Sequence, residues 1–181
     1  MKKSAFFVLL LLITNNLIAQ KMITRNGKVI FEASTPSFEE IKGTNSVVSS
    51  ILNPANNEFV ALILIKSFKF KSPLMEEHFN ENYLESNTYP KATFKGKVLN
   101  LDVSKLTATK TNYDLEGDLT IHGVTKKIKT KINLSLNGTK ILATSAFSVK
   151  PQDFKIEIPS LVKAKIADEV KISVNLVLEA N

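Results

Sequence analysis

At 181 residues and 44% hydrophobic content, the chain is long enough for one domain with a sizeable core and too apolar to stay disordered. It contains no cysteine, which excludes disulfides, a thiol nucleophile, a thiolate metal site and a lipidated N-terminal cysteine. The formal charge of +7 includes Lys2 and Lys3, so the remainder carries only a modest surplus. Its lysines alternate along strand-like stretches rather than forming a dense basic run, the pattern of a solvated face.

Lys2 and Lys3 precede an apolar run over 5–13 and a small residue at Ala19. This is the layout of a secretory signal peptide over residues 1–19, with cleavage near Ala19 or Gln20. A buried helix or a membrane anchor is the alternative, but the run is short for a bilayer and Asn15 and Asn16 interrupt it. The mature chain, residues 20–181, has no second run long enough to span, so a periplasmic or secreted protein is expected.

A first strand is predicted over 28–33, ended by Pro36, and a second over 46–52, closed by the turn Asn53-Pro54-Ala55-Asn56-Asn57. The next strand reads as 58–71. Its first half is apolar at every position, and its second half alternates Phe68 and Phe70 with lysines, which predicts cover on both faces and then on one. Ser72 and Pro73 open a helix to about Leu84, with Glu76 and Glu77 in its first turn. Pro90 leads into a strand over 92–101 and a turn over 102–105.

Residues 113–136 form the clearest hairpin. Tyr113, Leu115, Leu119 and Ile121, then Ile128, Ile132, Leu134 and Leu136, fall on alternate positions, and Asp114, Glu116, Asp118, Lys127, Lys129 and Lys131 take the other face. Asn137-Gly138 reads as a type I′ turn, which needs positive φ at both central residues. Strands over 140–149 and 169–178 follow, separated by an irregular stretch with a short helix predicted from Pro159 or Ser160 to Lys165. About eight strands with one or two short helices indicate an all-β barrel or sandwich, and antiparallel closure into a barrel removes exposed edges. Strands of about nine residues at roughly 3.3 Å each would line a channel near 30 Å long, suited to an apolar tail.

Chemistry is sparsely marked. His78 and His122 are the only histidines, no HExxH-type spacing occurs, and Glu77 and His78 are adjacent on a helix and point apart, so no metal site is expected. No serine sits in a Gly-x-Ser-x-Gly elbow, adjacent carboxylates such as Glu76 with Glu77 read as solvated charges, and phosphate loops are absent. No catalytic residue and no cofactor are expected. The phenylalanines share parity with aliphatic residues, which argues against a nucleic-acid groove. His78 reads as a partly buried contact between helix and barrel, and His122 as a turn residue hydrogen-bonded beside Gly123.

Three stretches carry a family resemblance: Met75-Glu76-Glu77-His78-Phe79-Asn80-Glu81-Asn82-Tyr83, Tyr89-Pro90-Lys91-Ala92-Thr93-Phe94-Lys95-Gly96, and Gly117-Asp118-Leu119-Thr120-Ile121-His122-Gly123-Val124-Thr125-Lys126. In order and spacing they resemble the YceI-like family of exported lipid- or polyisoprenoid-binding proteins, from about Lys28 to the C-terminus. The resemblance implies an eight-stranded antiparallel lipocalin-like β-barrel whose interior binds an isoprenoid or other amphiphile. One departure stands out: the family's opening strand often carries Tyr and Asp followed by histidines, whereas this chain has Arg25 to Glu32 there and no histidine before His78.

Together, alternation and resemblance give a non-enzymatic binding protein that holds an isoprenoid or fatty-acyl lipid for transport or storage, with no nucleic-acid partner. By parity, Phe68, Phe70, Phe94, Leu115, Leu119, Ile132, Phe147 and Ile172 line the interior. A filled barrel acting as an envelope interaction or stress-response module, and a metal-dependent enzyme using His78 and His122, are the competing readings. Oligomeric state is left open, a homodimer being one option.

Overall fold

The computed structural model describes residues 20–36 and 38–181. The expected signal segment, 1–19, lies outside them. The strands are β1 (Met22–Ser34), β2 (Lys42–Asn53), β3 (Glu58–Leu64), β4 (Lys91–Val98), β5 (Thr111–Ile121), β6 (Val124–Asn137), β7 (Lys140–Val149) and β8 (Ile166–Ala180). Each pairs antiparallel with the next, and β8 returns to β1 through pairs such as Phe31 with Ile172 and Val29 with Val174. The eight strands therefore close into a barrel, as expected, rather than stacking as a sandwich. β1 starts earlier than the apolar pattern suggests because it is held on both sides from Met22, by β2 at Leu52 and by β8 at Ala180.

The stretch predicted as one strand over 58–71 is divided. β3 ends at Leu64, a 3₁₀ turn takes Ile65–Ser67, and the chain resumes as a single bridge between Thr44 and Lys69. Nor is its first half covered on both faces: Leu62 and Leu64 are exposed on the barrel wall, beside Val47 and Ile51 of β2. β4 stops at Val98, where the chain turns inward. The helix predicted from 73 to 84 forms as α1 (Pro73–His78) continued by a π turn over Phe79–Tyr83, and Leu84 N–H closes it on the Phe79 carbonyl at 2.9 Å. The second predicted helix is reduced to a 3₁₀ turn over Lys163–Lys165.

The β5–β6 hairpin has the expected two faces. Outside, Asp114 opposes Lys131 and Glu116 opposes Lys129, with ion pairs of 2.5 and 2.9 Å. The Glu116 carboxylate, accepting a hydrogen bond from Lys129, raises the lysine pKa above its ordinary value. The turn is His122-Gly123, and both residues have positive φ, 50° and 71°, as a type I′ hairpin requires. Asn137-Gly138 is not such a turn: Asn137 pairs with Lys140, the loop is Gly138-Thr139, and only Gly138 has positive φ, the mark of type II′.

Gly96 of β4 and Gly117 of β5 face each other in register, and the ring of Phe94 lies across both. A Cβ on Gly96 would stand 2.1 Å from the Glu116 carbonyl oxygen and 2.7 Å from the Phe94 ring. Neither neighbour can retreat, since one is backbone in the ladder and the other is packed against Phe59. Gly96→Ala is accordingly expected to destabilise the barrel by about 1–3 kcal/mol, the range for overpacking a tight site. Urea unfolding of the variant beside the parent measures it.

Candidate functional site

The interior of the barrel is not uniform along its axis. Along β8 the inward residues run from Leu178, fully buried, and Leu176, 3% exposed, to Val174, Ile172 and Val170, all partly exposed. These last residues still face inward, so their accessible surface is turned to space inside the barrel. One half is packed solid, and the other is hollow.

The packed half lies at the end bearing the β2–β3, β4–β5 and β6–β7 connections. Met22, Leu52, Val98, Leu134, Ile141 and Leu178 fill it from the strands. The β4–β5 loop folds in as a stopper, burying Leu101 and Leu106. That loop is fixed at both ends: the Asn57 side-chain amide donates to the Leu101 carbonyl at 2.8 Å, and Leu136 N–H donates to the Thr107 carbonyl at 2.7 Å.

The other half encloses a cavity of about 340 Å³. Phe59 and Phe94, with ring centroids 6.1 Å apart, lie on its wall, which is largely aliphatic and aromatic, with Thr130 of β6 and Thr144 and Ser145 of β7 among the lining residues. Its cover comes from two excursions. α1 and its π turn lay Phe79 against Phe31, Phe68 and Phe70 at centroid distances of 5.1, 5.5 and 5.0 Å, a four-ring cluster that fixes the helix over the mouth. The β7–β8 loop brings Phe154, Ile156, Ile158 and Val162 to the opposite rim. Among the described residues the titratable side chains on the wall are His78, Tyr83 and Lys165, all from the covering segments.

Phe68, Phe70, Phe94, Leu115, Leu119, Ile132, Phe147 and Ile172 all lie on this wall. Phe68 and Phe70 reach it from the irregular run after β3, where the Thr44–Lys69 bridge keeps the backbone extended and so preserves their shared parity. Sequence reasoning passed over Phe31 and Phe79 as site residues, and with them the aromatic lid. It also missed the stopper residues, Leu101 reading as the end of a strand over 92–101 and Leu106 falling just after the turn over 102–105.

Neither histidine belongs to a metal cluster among the described residues. His78 is exposed at the cavity mouth, rather than the partly buried contact its helical spacing suggests. His122 is largely buried, with its Nδ1 3.2 Å from the Phe154 carbonyl, which it must meet as a donor. The Tyr89 ring packs on it at 4.4 Å, and Nε2 lies 3.4 Å from a Glu85 carboxylate oxygen without the alignment of a hydrogen bond. The imidazole thus ties three connections at the open end: the β5–β6 turn, the β3–β4 excursion and the β7–β8 loop.

The family model described as the YceI-like domain matches residues 21–178, nearly the whole described barrel. The chain belongs to the YceI-like domain family. No functionally curated protein matches it. Several solved structures share the YceI-like fold. A protein described as a polyisoprenoid binding domain from Saccharophagus degradans, implicated in plant cell wall breakdown, is 21% identical with a TM-score of 0.78, covering 90% of this chain and 99% of its own. Burkholderia cenocepacia BcnA is 20% identical with a TM-score of 0.68, over 83% and 95% of the two chains. The Campylobacter jejuni YceI protein is 18% identical with a TM-score of 0.61, over 80% and 88%. At these identities the likeness is one of fold.

Much of the YceI-like signature maps to scaffold rather than to a reacting group. Gly96 and Gly117 seat Phe94, while Gly123 leaves room for Tyr89, whose ring would lie 2.6 Å from a Cβ there. Among the described residues no helix is long and apolar enough to cross a membrane, which says nothing of strands.

Proposed function

We propose that this YceI-like barrel is an exported, non-enzymatic binding protein that holds the apolar tail of an isoprenoid or other lipid in its hollow half, for transport or storage. The observation that carries the reading is the opening of the inward face along β8, from packed Leu178 to the accessible Ile172 and Val170, into a cavity walled by apolar side chains. A protein that needed only stability would fill this space, since interiors are otherwise close-packed. At about 340 Å³ the cavity is at the small end of ligand sites, roughly 300–1,000 Å³. Because the stopper closes the far half, the channel is shorter than the roughly 30 Å that strand length alone allows. Part of a long tail is therefore held, and the polar head stays at the mouth near His78, Tyr83 and Lys165.

The driving force is burial of methylene groups at about 0.8 kcal/mol each, which selects length and apolarity rather than one head group. The description of the S. degradans relative as polyisoprenoid binding supports the same ligand class. Export rests on the sequence pattern of residues 1–19. The test is native mass spectrometry of protein purified from its own host, before and after organic extraction. A bound mass released by extraction and identified as a lipid is expected; protein that is empty from the host and takes up no isoprenoid or fatty-acyl lipid when offered it would overturn the reading.

A further inference from the structure

The two ends of the barrel differ in their exposed apolar residues. At the open end three of the four connections each present one to solvent: Phe38, 46% exposed, between β1 and β2; Leu74, 57%, at the start of α1; and Leu161, 90%, in the β7–β8 loop. The fourth connection is the two-residue His122-Gly123 turn. At the closed end no connection presents an exposed large apolar residue among the described residues. Single exposed leucines are ordinary on protein surfaces. Three on separate loops around one opening, with none on the loops at the other end, are a pattern.

Each tip also continues the cavity wall. Leu161 adjoins Val162, Leu74 adjoins Met75, and Phe38 lies three residues before Ile41, and all three of those neighbours line the cavity. Each apolar tip thus lies within three residues of the cavity wall. The loop that carries Leu161 also carries Lys155, Lys163 and Lys165, exposed and without an ion pair among the described residues, together with the exposed Glu157. Acidic residues border the other two tips, Glu39 and Glu40 near Phe38 and Glu76 and Glu77 near Leu74. The end is therefore not a basic patch, and apolar contact rather than charge must dominate.

From this we infer that the open end docks on a lipid bilayer, with Phe38, Leu74 and Leu161 dipping into the head-group boundary and the mouth set against the membrane. Shallow insertion of apolar tips is favoured by removal of their surface from water, and lysines at the same level meet lipid phosphates. Seated this way, a tail passes from bilayer to cavity without crossing water. The inference rests on the lipid-holding reading for its purpose, but its test does not.

Mature protein is mixed with phosphatidylcholine vesicles, with and without phosphatidylglycerol, and partition is measured by flotation. Three proteins are compared: the parent, Phe38→Ser/Leu74→Ser/Leu161→Ser, and the control Val47→Ser/Ile51→Ser/Leu64→Ser, which removes three apolar residues exposed by 40–50% on the barrel wall. The parent is expected to bind phosphatidylcholine alone, the tip variant to lose at least tenfold in partition, and the control to match the parent. All substituted sites are exposed, and retained thermal unfolding confirms that folding is intact. Parent protein that ignores both vesicles, a control that loses as much as the tip variant, or a tip variant whose only change is loss of self-association would each overturn the proposal. Lipid content by mass spectrometry, read on the same samples, separates the two ideas: lipid-loaded protein that does not bind vesicles defeats docking and leaves the carrier reading standing.

Discussion

Leu178→Ala is expected to cost about 2–5 kcal/mol of folding stability, and Ile172→Ala, six residues away on the same face of the same strand, no more than about half as much. Both remove inward aliphatic groups, and a uniformly packed barrel would charge them alike. Leu178 is fully buried in the solid half, where deletion leaves a void that Leu52, Leu134 and Ile141 cannot collapse to fill. Such deletions carry the transfer term and the cavity term together. Ile172 borders space that is already there, so its deletion enlarges a cavity without creating one and forfeits fewer contacts. The comparison must be made on delipidated protein, because a ligand at 100 times its dissociation constant adds about 2.7 kcal/mol of apparent stability. Equal costs in urea unfolding would mean that the upper half is packed as tightly as the lower.

That contrast also marks how far the sequence could be read. Alternation found the inward set, because a strand's period of two depends on local geometry and holds whatever lies inside the sheet. It could not say whether Ile172 and Leu178 meet a neighbour or a void, since both settings select apolar residues. The difference comes from residues remote in sequence: Leu101 and Leu106 swing into one end from a loop, while the other end receives only a lid. The continuous apolar run 59–65 was misleading for a related reason. Apolar residues on both faces predict cover on both, yet Leu62 and Leu64 stand in solvent beside Val47 and Ile51.

The turns teach a similar lesson. Asn-Gly is the strongest two-residue hairpin signal, but the frame of the β6–β7 ladder sets which two residues lie at the centre, and here it is Gly138-Thr139. The left-handed pair falls instead at His122-Gly123, where the imidazole gains the Phe154 carbonyl and the Tyr89 ring as partners. Those tertiary contacts hold a non-glycine residue at positive φ, and neither is visible within the hairpin's own sequence. His122, chemically the most suggestive residue of the signature, is thereby occupied as a rivet for three loops.

Ala143→Phe should abolish uptake of an apolar tail while leaving the barrel folded. Ala143 points inward from β7, is almost fully buried, and lines the cavity between Leu134 of β6 and Leu176 of β8, its register partners. A phenyl ring in place of this methyl group enters the cavity from its wall and takes up part of the about 340 Å³. In the packed half the same enlargement would cost about 1–3 kcal/mol in strain. Beside an existing void the ring has room, and its own burial offsets part of that strain. Each methylene kept out of the cavity forgoes about 0.8 kcal/mol, so displacing even four of them weakens binding more than a hundredfold. Titration with a fluorescent isoprenoid or fatty-acyl probe, alongside a thermal melt, reads both quantities. Uptake at the parent's affinity by a folded Ala143→Phe protein would place the tail somewhere other than this cavity.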